Sequence, residues 1–204
     1  MKRKIRKAKT RGGERGVELL ELSLGLPILL MLVAGVVDFA NAWSTRQILA
    51  NAAREGVRLA STQPMLDLNT TDPGTIQKVC QDVADYLAKA NVDTTFMNGT
   101  SANPAAGCAT PTVIPDSASA VANPVPLGWT YYSSGSYGLE ISRTVSVSSS
   151  GGSGSVSSTQ VILTFPFRWP FDFNRIAGLA TGGGGSGYPN VIPIQVNSTM
   201  ANIE

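Results

Sequence analysis

The stretch Arg15 to Trp43, RGVELLELSLGLPILLMLVAGVVDFANAW, decides how the rest of the chain is read. From Leu22 to Val37 it runs for sixteen residues without a formal charge, nearly all of them apolar. Extended through Phe39 to Trp43 it makes a helix of about 22 residues, roughly 33 Å at 1.5 Å rise per residue. That length crosses a hydrocarbon core of ~30 Å. A water-facing core helix of this size would show a polar face, and this one shows none. The reading is therefore a membrane span, residues 17–43, with residues 1–16 as a basic leader and residues 44–204 as a domain on the far side.

Charge supports that order. The formal net charge is only +2, yet residues 1–15 hold eight of the sixteen Lys and Arg and a single acid, Glu14. From Ser44 onward eight basic residues face ten acidic ones. Basic charge packed against one end of an apolar span keeps that end in the cytoplasm, so the expectation is a single-pass protein of the cell membrane with its C-terminal domain extracytoplasmic. A nucleic-acid patch is the competing reading of KRKIRKAKTRGGER, but it would need aromatic or groove-reading residues nearby, and none are present.

Two acids at the head of the span need a reason. Glu18 suits the first turn, where a carboxylate complements the helix dipole. Glu21 lies one turn deeper, five residues after Gly16, where a charge in lipid is costly. A basic leader, a glycine, four residues, a glutamate and an apolar helix resemble the prepilin peptidase signal of type IV pilin-like proteins. The resemblance implies cleavage between Gly16 and Val17 and pairing of Glu21 with the new N-terminal amine of a neighbouring subunit. Val17 departs from the Phe or Met usual there in major pilins.

A narrower resemblance follows from RGVELLELSLGLP, GVVDF at Gly35–Phe39 and NAAREGVR at Asn51–Arg58. Together they are similar to the TadE-like family of tight-adherence pilus assembly proteins. Pro27 matches the family's LP, Asp38 its second acid, and Asn51, Arg54, Glu55, Gly56 and Arg58 its polar motif. Past residue 60 only TFPF and STMANIE echo the family. The resemblance implies an assembly role for Glu21 and Asp38, with prepilin peptidase, other pilin-like subunits and the pilus machinery as partners.

Beyond Trp43 the helix is expected to continue to about Ser61. TRQILANAAREGVRLAST is rich in good helix formers and lacks proline. Pro27 removes one bond of the ladder and predicts a kink near Ser23. Leu49, Ala52, Ala53, Gly56 and Ala60 form a small-residue stripe, read as packing against the domain's own sheet in preference to a subunit contact. A second helix is expected through Ile76, Val79, Cys80, Val83, Ala84, Leu87 and Ala90, capped by Asp72 and opened by Pro73. Residues 98–128, punctuated by five prolines, read as an exposed loop.

Period-two runs at Leu139–Val147, Val156–Phe167 and Val191–Met200 predict strands, with SSSGGSGS as the hairpin connection between the first two. The fold class is thus α+β and pilin-like: a long N-terminal helix, a second helix and a three- to four-stranded antiparallel sheet. Phe165 to Phe171 is an aromatic cluster, read either as core or as an interfacial belt. Cys80 and Cys108 both fall in the exported part, where they form either one disulfide, with ~3 kcal/mol to contribute, or two free thiols.

Chemistry is absent from the sequence. No histidine occurs, which removes the commonest general base and metal ligand. GGGGSG at 182–187 lacks the Lys-Ser or Lys-Thr of a phosphate loop. No catalytic, cofactor-binding or metal residue is assigned, and no small-molecule substrate or cofactor is expected. The leading reading is a minor pilin-like structural subunit. The others are an uncleaved single-pass anchor carrying a binding domain, a secreted protein cut after Ala40-Asn41-Ala42, and, least supported, an exported enzyme.

Overall fold

A computed structural model describes residues 12–63, 73–100, 102–114, 128–134, 137–148, 155–170 and 191–202. The basic leader through Arg11, Asp72, Phe171 and the GGGGSG stretch lie outside the described residues. Two compact units are present, Met1–Asn41 and Ala42–Glu204.

The described residues of the first unit are helical. Helix α1 runs Gly12–Thr62 and carries Pro27 inside it. Between Val17 and Phe39 its large apolar side chains are exposed, Leu24 at 70% and Val37, among the least exposed, at 44%. Among the described residues this is the one helix long and apolar enough to cross a membrane. A core helix would have covered these side chains with protein, and here protein covers none of the apolar window. A lipid environment fits such a surface. Near Pro27 the Ser23 hydroxyl donates to the Leu20 carbonyl at 2.8 Å, a local side-chain bond back onto the preceding turn.

The second unit is a two-part fold around one core. The remainder of α1 buries Leu49, Ala52, Ala53, Val57 and Ala60. Helix α2, Gly74–Lys89, buries Ile76, Val79, Cys80, Val83, Ala84 and Leu87. This is the stripe its periodicity predicts, and Asp82 and Asp85 stay exposed. Pro73 occupies the N-cap with no side-chain cap bond. At the other end Asn91, in the left-handed region at φ 56°, closes a Schellman motif: Val92 N–H bonds Leu87 C=O at 2.9 Å and Asn91 N–H bonds Ala88 C=O at 3.0 Å.

The sheet is an antiparallel meander in sequence order, β1-β2-β3-β4-β5. Its strands are β1 Thr112–Ile114, β2 Gly128–Ser134, β3 Tyr137–Ser148, β4 Ser155–Arg168 and β5 Val191–Ala201. Trp129, Tyr131, Leu139, Ile141, Val161, Leu163 and Val196 join the helices in the core. Five strands stand where three to four are expected. The two extra ones, β1 and β2, flank the proline-rich segment, whose turn signals mask a three-residue strand and the short alternation Trp129-Thr130-Tyr131.

That segment is also more structured than an exposed loop. A short helical turn at Ala106–Ala109 buries Gly107 and Cys108, and an added Cβ at Gly107 would stand 1.6 Å from the Met97 carbonyl oxygen. Glycine there is the condition for two turns to touch. Cys108 forms a disulfide with Cys80 of α2, Cα to Cα 5.7 Å. Where it is described the aromatic cluster divides: Phe165 packs against the core and meets Phe96 edge-on at 5.2 Å, while buried Phe167 meets half-buried Trp169 at 5.4 Å and Arg168 is exposed.

Arg143 of β3 is buried at 1% exposure and donates from Nη2 to the Gln63 carbonyl at 2.8 Å. The last turn of α1 has no basic residue of its own, so a cation from the sheet meets the negative end of the helix. The backbone carbonyl of Arg143 accepts from Asn202 at 3.1 Å, tying the end of β5 to β3.

Replacing Cys80 and Cys108 together by Ser should lower unfolding free energy by about 3 kcal/mol, since the bridge spans 28 residues of sequence. Denaturant midpoints with and without reductant measure it. Arg143→Met, which keeps volume but orphans the Gln63 carbonyl, should cost about 1–3 kcal/mol in the same assay.

Candidate functional site

Gly16, Val17 and Glu21 lie on exposed helix near the start of α1. The bond between Gly16 and Val17 is helical on both sides. Gly12, Gly13 and Gly16 lower the helix propensity of this part of α1. An added Cβ at Gly16 would meet nothing within 4 Å, so no packing requirement explains that glycine. Glu21 remains exposed in a run of exposed apolar side chains.

Asp38 differs. It is 1% exposed while Phe39 beside it is 66% exposed. Among the described residues neither of its carboxylate oxygens has a hydrogen-bond partner. A buried carboxylate left unpaired is expensive, so this residue asks for a cation or donor.

The motif Asn51–Arg58 separates into two faces. Ala52, Ala53, Gly56 and Val57 are buried, and Asn51, Arg54, Glu55 and Arg58 are exposed. An ideal Cβ on Gly56 would fall 2.7 Å from Val83 Cγ2 and 3.7 Å from Val161 Cγ1. Glycine and alanines here let α2 and β4 approach the helix closely. The small-residue stripe packs within its own domain.

On the outer face Arg58 Nε donates to Glu55 Oε2 at 3.0 Å and Arg54 Nη1 to Asn51 Oδ1 at 3.4 Å. The Arg58 hydrogen bonds hold the Glu55 carboxyl below its usual range, and Glu55 raises Arg58 in turn. A lowered acid contributes stability above its unfolded titration and loses it as pH falls through the folded one. Both groups are solvent-exposed, so that contribution is small.

Glu21, Asp38 and the Asn51–Arg58 motif thus occupy successive stretches of one helix. Residues 16–58 match the family model of TadE-like proteins. This stretch is a TadE-like segment. It begins at the proposed cleavage glycine and ends at Arg58, the last residue of the motif. No curated protein and no solved structure matches the chain. Arg143 and the outer edge of β5, open among the described residues, are not legible in the sequence, because nothing local marks a buried arginine or the edge of a sheet. Among the described residues no cluster of His, Cys, Asp and Glu is arranged to hold a metal ion.

Gly56→Leu should prevent close packing in the TadE-like segment and abolish cooperative unfolding. Gly56→Ala should cost about 1–3 kcal/mol from overpacking. Val83→Ala in the same chain should recover part of that loss, as a double-mutant cycle of thermal melts would show.

Proposed function

We propose that the protein is a minor pilin-like structural subunit of a tight-adherence type pilus or a related secretion apparatus. The TadE-like match suggests a pilus-assembly-related membrane protein, and the exposed apolar part of α1 fits a single-pass anchor. The observation that carries the finer reading is the order of features on one helix: Gly16, then Glu21, then an apolar surface with no protein cover.

In this reading prepilin peptidase cuts after Gly16, and the leader stays on the cytoplasmic side, held there by its eight Lys and Arg. The freed amine of Val17 is a cation at the membrane face. A carboxylate in hydrocarbon costs at least ~2.5 kcal/mol, and a neighbour's amine beside Glu21 offsets part of it. Pairing between subunits then sets the register in which apolar helices bundle. Asp38, the second acid of the match, is already buried within its own chain, so a part for it in assembly requires that cover to open.

Supporting the reading is the contrast between the two halves of the segment. Its small residues at Ala52, Ala53 and Gly56 are spent on the chain's own core, whereas the surface from Val17 to Phe39 is left for other molecules. Association, with no reaction, is the mechanism.

N-terminal sequencing of the protein from its host membrane should begin at Val17. A start at Met1 would leave an uncleaved anchor, and one at Trp43 a secreted domain. Glu21→Ala should insert into the membrane normally yet fall at least tenfold in assembled fractions. Equal incorporation of variant and wild type would overturn the role given to Glu21.

A further inference from the structure

Strand β5 forms one edge of the sheet. It is 11 residues long, VIPIQVNSTMA, with no charged residue in it. The opposite edge, β1, is three residues long. Long uncharged edges are what proteins ordinarily avoid or protect, because they template pairing with another chain.

The direction of the free groups follows from the ladder. Asn202 N–H donates to the Ser157 carbonyl at 3.1 Å, and Pro193 stands opposite Pro166. Proline has no N–H to give. Even-numbered residues of β5 therefore turn their amides and carbonyls to β4, and Gln195, Asn197, Thr199 and Ala201 turn theirs to the open edge. These four span about 20 Å at ~3.4 Å per residue.

Helix α1 packs on the face of the sheet beside that edge, with Gly56 against Val161 and Ser61 against Met200. One section of groove, 340 Å³, lies between Trp43, Arg46 and Arg54 and the strand residues Gln195 and Asn197. A second, 600 Å³, shares Arg54 and continues past Arg58 and Tyr86 to Ser198 and Met200. From Trp43 to Arg58 the helix rises about 22 Å, the same reach as the open edge. The charged side chains lining the groove are Arg46, Arg54, Arg58 and Glu55. Glu55 is already engaged by Arg58. Arg46 stacks over Trp43 at 5.7 Å, and among the described residues no carboxylate neutralises Arg46 or Arg54.

We infer that this groove accepts an extended, carboxylate-bearing segment of another protein, added to the sheet as a sixth strand along β5. Main-chain bonds to Gln195, Asn197 and Thr199 supply affinity, and Arg46 and Arg54 select acidic side chains. A second copy pairing β5 with β5 would bring the two sets of arginines together. Lipid headgroups reach only about 5–8 Å beyond the hydrocarbon, whereas Arg54 is about 12 Å farther along the helix than Arg46. This surface is separate from Glu21, and its test reads the same whether or not the chain is cut at Gly16. Failure here would leave the assembly reading of the apolar helix standing.

Full-length protein in zwitterionic nanodiscs would be titrated with a blocked eight-residue peptide alternating Glu and Val. Controls are the Lys-Val peptide and a Glu-Val peptide with alternate amides N-methylated. Binding of the Glu-Val peptide is expected, with slowed amide exchange at Gln195, Asn197 and Thr199. Either control should bind at least tenfold more weakly, as should Glu-Val binding to Arg54→Gln or to Asn197→Pro, which removes an edge donor outside the β4 ladder. Arg54→Gln and the N-methylated peptide carry the test if Asn197→Pro fails to fold. Binding indifferent to N-methylation would overturn strand addition and leave a charged patch. Arginine-dependent binding to anionic nanodiscs without peptide binding would overturn it in favour of lipid, and edge protection that rises with protein concentration alone would overturn it in favour of a second copy.

Discussion

Everything in this protein depends on α1 meeting two different demands. Along its first stretch, large side chains such as Leu24, Ile28 and Leu32 are exposed and have no protein against them. Apolar surface left in water costs about 25 cal/mol per Å², so a surface of this kind is stable only in lipid or against other apolar helices. Along its later stretch the helix presents Ala52, Ala53 and Gly56, too small to exclude neighbours, and α2 and β4 come into contact with it. A helix built only for the first demand would not nucleate a domain. One built only for the second would not need a membrane.

The domain that grows on the later stretch is held by ties of different kinds. Apolar burial from both helices and four strands makes the core. A disulfide fixes α2 to the turn at Ala106–Ala109, Arg143 closes the end of α1 on β3, and Asn202 fastens the end of β5 through Arg143 and Ser157. The last two are polar bonds at places where a helix or a strand ends, which is where backbone groups otherwise go unpaired. Their effect is to hold β5 in place as an edge, beside the groove that Arg46 and Arg54 of α1 line.

The functional reading draws on the same division. Glu21 is exposed among apolar side chains, and Asp38 is buried without a hydrogen-bond partner among the described residues. The exposed Glu21 is a cost that a lone chain leaves unmet, and assembly is the simplest way of meeting it.

Read alone, the sequence determines the elements whose signal is local. The apolar run from Leu22 to Val37 marks the span. Alternation at three and four marks α2, whose six predicted stripe residues from Ile76 to Leu87 are all buried. Alternation at two marks β3, β4 and β5. These patterns survive in one dimension because a single element's period produces them. What needed the tertiary structure is whatever depends on residues far apart meeting. Strands β1 and β2 are pairings across a proline-rich segment. Gly107 leaves room for the Met97 carbonyl and for Asn98, and buried Arg143 reaches the Gln63 carbonyl, 80 residues away in sequence. The edge of β5 is open because no described strand follows it in the sheet, and neighbours in space leave no period in the chain.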